Sequence, residues 1–255
     1  NGDVGSNGGT PYYNEFENPS GHSENSSCNY TSTFNGTSAA APTVAGVVAL
    51  MLEANPALTW RDIKHILATT ADQVGSDSDY SHTYTSIKQY EWVENTAGYK
   101  HHIWFGFGKI DAAEAINTAK TYTANSRGTF AATTYKQNIL NQVINYGVNS
   151  TSTLAVTKPV GSNDFVEFVR VTVQFDHSVP LSVGLRLQSP EGTIVNIMQP
   201  FTNIGTNPST TVFDIGVSAF YGENIEGNWT IAANDYVNDS QSGTLLKYGI
   251  QIYGN

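Results

Sequence analysis

Cysteine is all but missing from this chain of 255 residues, which has one, Cys28. No disulfide can close within it, so there is no cross-linked framework to read. The thiol is free, half-buried in a loop, or paired with a cysteine elsewhere. Positive charge is also scarce. Twelve Lys and Arg stand against 22 Asp and Glu, a net charge of −10, which argues against nucleic acid or an anionic membrane as partner. Lysine-poor surfaces of this kind are common in secreted proteins. No apolar run reaches the roughly 18 residues that a membrane-crossing helix needs. The opening stretch, Asn1 to Pro11 (NGDVGSNGGTP), has no methionine and no element start. It reads as the middle of a loop rather than a natural N-terminus or a signal peptide.

What is present is glycine, asparagine, serine and threonine around a moderate apolar content of 39%, with only 13% charged residues. That composition belongs to a globular, loop-rich, β-rich chain. Its length suits one large domain or two modest ones. Residues 1–36 are turn-rich loop. A strong helix follows, with Val44, Val47, Val48, Met51 and Leu52 at 3–4 spacing and Ala41, Ala45, Ala49 and Leu50 on other faces. A helix apolar nearly all round is expected to be buried. Pro42 has to lie in or near its first turns, which puts the start at Thr37 or Ser38; Asn55-Pro56 ends it. A second helix starts at Thr59-Trp60-Arg61-Asp62, where Thr59 and Asp62 resemble a capping box with aspartate in place of glutamate. Trp60, Ile63, Ile66 and Leu67 form its apolar face, while Arg61, Lys64 and His65 point elsewhere. Residues 72–102 are polar and irregular, and a third helix runs from Asp111 to about Thr121.

From about residue 125 the pattern turns to short strands. Val169, Val171, Val173 and Phe175 alternate with polar neighbours, as do Val183, Leu185 and Leu187, and Leu246, Tyr248, Ile250 and Ile252. Ser189-Pro190-Glu191-Gly192 is a turn leading into a partner strand, Ile194 to Met198; Trp229-Thr230-Ile231 makes another strand. The expected architecture is an α/β segment, residues 1–124, followed by an all-β sandwich, residues 125–255. Their net charges are −7 (6 basic, 13 acidic) and −3 (6 basic, 9 acidic), so neither half has a basic face.

Ser38 sits where a polar Gly-Thr-Ser turn enters the apolar helix. A serine hydroxyl becomes a nucleophile only with a base, a group that orients the base, and donors for the oxyanion. A helix N-terminus supplies such donors, because its first N–H groups have no intrahelical partner. Serine is also a favoured helix cap, and Gly-x-Ser alone does not separate the two readings. The pattern is not the nucleophile elbow of α/β hydrolases, since Ala40 stands where that motif has its second glycine.

Asn35-Gly36-Thr37-Ser38-Ala39-Ala40-Ala41-Pro42 resembles the serine motif of subtilisin-like proteases, in the Ala-Ala-Ala form of the kexin and proprotein convertase branch. The resemblance continues through VAGVVALMLEANPALTWRDIKHIL, and Phe105-Gly106-Phe107-Gly108-Lys109-Ile110-Asp111-Ala112 resembles the segment closing that branch's catalytic domain. Leu187 to Thr193 and Tyr221 to Thr230 resemble its P (Homo B) domain, a jelly-roll sandwich. The resemblance implies a C-terminal part of a catalytic domain followed by a P domain. Ser38 would be the catalytic nucleophile of a serine endopeptidase acting on proteins or peptides, secreted or in the secretory pathway. Family enzymes of this branch cleave after basic residues.

The family's triad runs Asp, His, Ser along the chain, so its aspartate, histidine and oxyanion asparagine are expected upstream of Asn1. The remaining N-terminal part of the catalytic domain is then an expected partner, and the chain alone is expected to be inactive. His22 lies in a solvated loop, His65 on the polar side of its helix, and His101-His102 before a strand-like Ile103-Trp104-Phe105; His177 follows a strand end. None completes a triad. Subtilases often bind calcium, and a structural calcium ion is implied, yet Asp3, Glu15, Glu17 and Glu24, like Asp235 and Asp239, lack a regular ligand spacing. Asn25, Asn29, Asn35, Asn149, Asn228 and Asn238 fit the glycosylation pattern. The alternative reading is a catalytically inactive binding or structural fragment built on the P domain.

Overall fold

The computed structural model describes residues 22–27, 29–30, 34–75, 91–161, 164–202, 204 and 211–255. Residues Asn1–Pro56 and Ala57–Asn255 form two compact units. In the first, α1 spans Thr37–Ala54, starting after Gly36 and closing at Asn55, whose N–H bonds the Met51 carbonyl. Both ends match the sequence expectation. Its burial does not. Val47 and Met51 are the buried residues of α1, whereas Ala41, Ala45, Ala49, Leu50 and Leu52 are exposed. No layer among the described residues covers those faces. α1 also departs from the expectation about membranes. By length and composition its 18 residues could cross one, as could the core helix of many soluble proteins.

The second unit begins with α2 (Trp60–Thr70). The capping box forms as expected: the Asp62 N–H reaches the Thr59 hydroxyl, and the Asp62 carboxylate accepts from the Thr59 N–H at 2.8 Å. The same carboxylate accepts from the Asn125 N–H at 2.9 Å. The helix is turned differently from its apolar pattern. Arg61 and Asp62 are buried beside Ile66, while Trp60 is 62% exposed. The short strands β1 (Val93–Glu94) and β2 (Lys100–His101) pair antiparallel within the segment expected to be irregular. Ile103 to Phe105 form a turn rather than a strand, because His102 and Gly106 exchange backbone hydrogen bonds across them. α3 covers Ala112–Thr121, with the Asp111 carboxylate accepting from the Glu114 N–H at 2.9 Å.

Nine strands then build two antiparallel sheets: β3 (Ala131–Ala132), β4 (Lys136–Ile144), β5 (Ser150–Val156), β6 (Val166–His177), β7 (Val183–Gln188), β8 (Ile194–Met198), β9 (Phe213–Val217), β10 (Gly227–Asp235) and β11 (Gly243–Gly254). One sheet has the order β5-β10-β7-β8; the other is β3-β11-β6-β9, with β4 also on β11. The alternation read in β6 and β7 is the observed one: Val169, Val171, Val173, Phe175, Leu185 and Leu187 are all buried in one core with Trp229, Ile231, Tyr248, Ile250 and Ile252. Each large side chain removed from water there contributes roughly 1.5–3 kcal/mol. Trp229 satisfies its indole N–H on the Ile225 carbonyl at 2.9 Å and meets Phe220 edge-on. β11 holds a surprise. Its register shifts between Leu245 and Lys247, so Leu245 fills the core position expected for Leu246. An extra residue at such a bulge flips the side-chain alternation beyond it.

Candidate active site

Gly36 has φ +73°, the left-handed region that suits glycine, and from there the chain turns into α1. The Gly36 carbonyl receives the N–H groups of Ala39 at 3.1 Å and Ala40 at 3.2 Å. The N–H groups of Thr37 and Ser38 therefore point out of the helix mouth without an intrahelical acceptor. Ser38 is the second residue of the helix, not its cap, and no side chain caps α1. That geometry removes the capping role weighed for it. Ser38 is exposed, and the small Ala39, Ala40 and Ala41 follow. Pro42, inside the helix, has no N–H for the Ser38 carbonyl four residues back. The result is a hydroxyl at the positive end of a helix beside free N–H donors, an arrangement that stabilises an oxyanion.

Each described histidine has a nearby hydrogen-bond, ion-pair or ring partner. His22 accepts from the Glu24 N–H at 3.3 Å at the head of a short 3-10 turn. His65 Nδ1 lies 2.9 Å from Arg127 Nη1 and 3.2 Å from the Tyr221 hydroxyl. Arginine only donates, so that nitrogen is an acceptor and the ring is neutral. Burial and Arg127 lower the pKa of His65, outweighing the pull of Glu167 and Asp62. Burial, helped by His102, brings His101 down to about 4. His102 stacks on Phe105 at 4.6 Å and accepts from the Trp104 N–H. His177 is buried 3.6 Å from Asp235. His82 and Cys28 lie outside the described residues.

Asp3, Glu15 and Glu17 also lie outside the described residues, and Glu24 is exposed. Asp235 accepts from the Val237 N–H and Asp239 from the Gln241 N–H, so both stabilise their own turns. Among the described residues no three His, Cys, Asp or Glu side chains converge as a metal site would require. Asn25, the first glycosylation candidate, is 2% exposed, its amide held by the backbone of Tyr30.

A polar cluster that the sequence pattern did not reveal ties α2 to the sandwich. Glu167, 1% exposed on β6, is bound by Arg61 through several guanidinium contacts, including Nε at 3.1 Å to both carboxylate oxygens. Arg127 reaches the same carboxylate at 3.3 Å. Arg61 also donates to the carbonyls of Gly128 at 2.6 Å and Arg127 at 3.1 Å. The partners are 106 residues apart, so local periodicity carries no trace of the pair.

A model described as the subtilase family matches residues 2–108, and one described as the proprotein convertase P-domain matches residues 166–252. Human proprotein convertase subtilisin/kexin type 7 is 31% identical over 229 residues, 86% of this chain and 27% of that protein. Neuroendocrine convertase 2 of Caenorhabditis elegans is 28% identical over 242 residues, 88% of this chain and 37% of that protein. The chain thus spans well under half the length of these relatives. Among solved structures, the serine protease of Aeromonas sobria in complex with a chaperone superposes with a TM-score of 0.78 at 23% identity, over 92% of this chain and 47% of that one. That likeness is one of fold.

Proposed function

Since the chain belongs to the kexin-like branch of the subtilase family, a subtilase segment followed by a proprotein convertase P-domain, we propose that it is the C-terminal part of a serine endopeptidase with Ser38 as its nucleophile. The observation that carries this reading is the placement of Ser38 at an uncapped, exposed helix mouth beside free N–H groups. Ser38 Oγ attacks the scissile carbonyl of a protein or peptide substrate, and its proton passes to a histidine oriented by an aspartate. The Ser38 N–H donates to the oxyanion. The amine leaves with that proton, and water then hydrolyses the acyl-enzyme. The histidine and aspartate belong to peptidase sequence outside these 255 residues, which is also the proposed cover for the exposed faces of α1.

In this reading residues 1–124 are the end of the peptidase domain and residues 125–255 the P domain, a division supported by the two family matches. The protein works in the secretory pathway or outside the cell, as the convertase family suggests. A structural calcium ion enters by family resemblance alone, and no step depends on it. The test is a longer protein carrying an N-terminal peptidase segment, assayed on a quenched-fluorescence peptide. Ser38→Ala lowers kcat by about 10⁴-fold or more; an unchanged kcat removes Ser38 from the mechanism and favours the inactive P-domain fragment.

A further inference from the structure

Beside the ion pair that anchors α2, the second unit opens a cleft of about 380 Å³ lined by the rings of Trp60, Phe130, Phe168 and Tyr253 and by Lys64, Arg170 and Glu167. Trp60 is 62% and Phe130 40% exposed, and they meet edge to face at 5.4 Å. Phe130 in turn stacks on Tyr253 at 6.2 Å. A second apolar hollow of about 370 Å³, which shares Trp60 and Lys64 with the first, runs along Leu67, Phe107 and Ile110. Trp60 lines both hollows, on a surface where large aromatic rings in contact with water are unfavourable unless something covers them.

The charges around the cleft are unequal in their partners. The Glu167 carboxylate is held by Arg61 and Arg127, and Asp214 is held by Arg170 through Nε at 2.9 Å. Asp62 is turned to the Thr59 and Asn125 donors. Lys64 differs. Its ammonium donates to the Glu167 carbonyl at 2.8 Å and lies over the rings of Phe168 and Tyr221. No carboxylate lies within ion-pair distance of it among the described residues. Burial and the nearby Arg127 charge lower its pKa, against the pull of Glu167. Four of the chain's twelve basic side chains, Arg61, Lys64, Arg127 and Arg170, gather here, in a molecule whose net charge is −10.

We propose that this cleft is a docking site for an acidic peptide segment, which places an aromatic or large aliphatic side chain against Trp60 and Phe130 and a neighbouring carboxylate on Lys64. The apolar walls supply affinity, and the Lys64 ammonium, which has no carboxylate within ion-pair distance among the described residues, supplies the choice of charge. The site lies away from Ser38 in sequence and in a different compact unit, so its test does not depend on peptidase activity.

The 255-residue chain is titrated with the acetylated, amidated tripeptides Asp-Phe-Glu, Asn-Phe-Gln and Lys-Phe-Lys, read by tryptophan fluorescence and by calorimetry. The acidic peptide binds at least tenfold more tightly than the neutral one, and 0.5 M salt removes most of that preference. Lys64→Met brings the acidic peptide to the affinity of the neutral one. Trp60→Ala, at an exposed position and in a protein whose Tm is unchanged, weakens both. Equal affinities for the three peptides overturn the proposal, as does a charge preference that survives Lys64→Met in a protein with unchanged Tm. Salt-independent binding of a neutral oligosaccharide in the same cleft, or self-association of the chain that Trp60→Ala abolishes, also overturns it by naming another occupant.

Discussion

Glu167→Gln is the sharpest perturbation of the second unit. The carboxylate is 1% exposed and its principal partner, Arg61, 7%. Neutralising it strands Arg61 beside Arg127 with no counter-charge in a site that water does not reach. Removing one partner of a buried pair costs about 3–5 kcal/mol. Glutamine still accepts a hydrogen bond, so the expectation is the low end, about 3 kcal/mol. For a unit of this size each kcal/mol moves Tm by roughly 2–4 °C, so the variant melts roughly 6–12 °C lower by scanning calorimetry. The double variant with Arg61→Met then costs less than the two single changes added together, because the stranded charge is gone. A shift below about 2 °C for Glu167→Gln, or strict additivity, refutes the claim that this pair anchors α2 to the sandwich.

Acid should weaken the second unit through His101. Its ring is neutral in both states above its ordinary value, so the full contribution is present there. As pH falls below about 6.5 the unfolded chain takes up the proton first, and stability declines until the folded-state value of about 4. The loss has an upper bound of about 3 kcal/mol, and His65, lowered in the same direction, adds to it; denaturant melts of His101→Phe from pH 7 to 4 show a flatter profile. Asp62→Ala opens the capping box and frees the Asn125 N–H, costing about 1–2 kcal/mol in urea unfolding. Gly108→Ala forces a methyl group to within 2.3 Å of the Asp72 carbonyl oxygen at a glycine with φ +132°. It destabilises by about 2 kcal/mol or more in the same assay.

Local rules were legible where their causes are local. The Thr59–Asp62 capping box, the Ser189–Gly192 turn and the alternation of β6 and β7 all depend on residues a few positions apart. Periodicity shows which residues share a face, but not what that face meets. Arg61 and Lys64 lie on the polar side of α2, and that side turns to the sandwich because Glu167, far along the chain, neutralises Arg61 there. The same limit explains α1, whose apolar faces announce burial while only Val47 and Met51 are buried. In β11 one extra residue at the bulge exchanged Leu246 for Leu245 in the core, which alternation cannot foresee. β4 escaped notice because it carries asparagine and glutamine between its apolar residues and leaves Ile139 75% exposed. At the candidate site the motif picked out Ser38, and the structure added that it is not the helix cap.

The central claim is that Ser38 is a nucleophile whose activating groups lie outside these 255 residues. Fluorophosphonate labelling with intact-mass and peptide mapping tests it most directly, on the isolated chain and on a longer protein bearing the N-terminal peptidase segment. The account predicts one adduct on the Ser38 peptide of the longer protein and no burst of labelling on the isolated chain. Stoichiometric acylation of the isolated chain, or an adduct on a different residue of the longer protein, would contradict it.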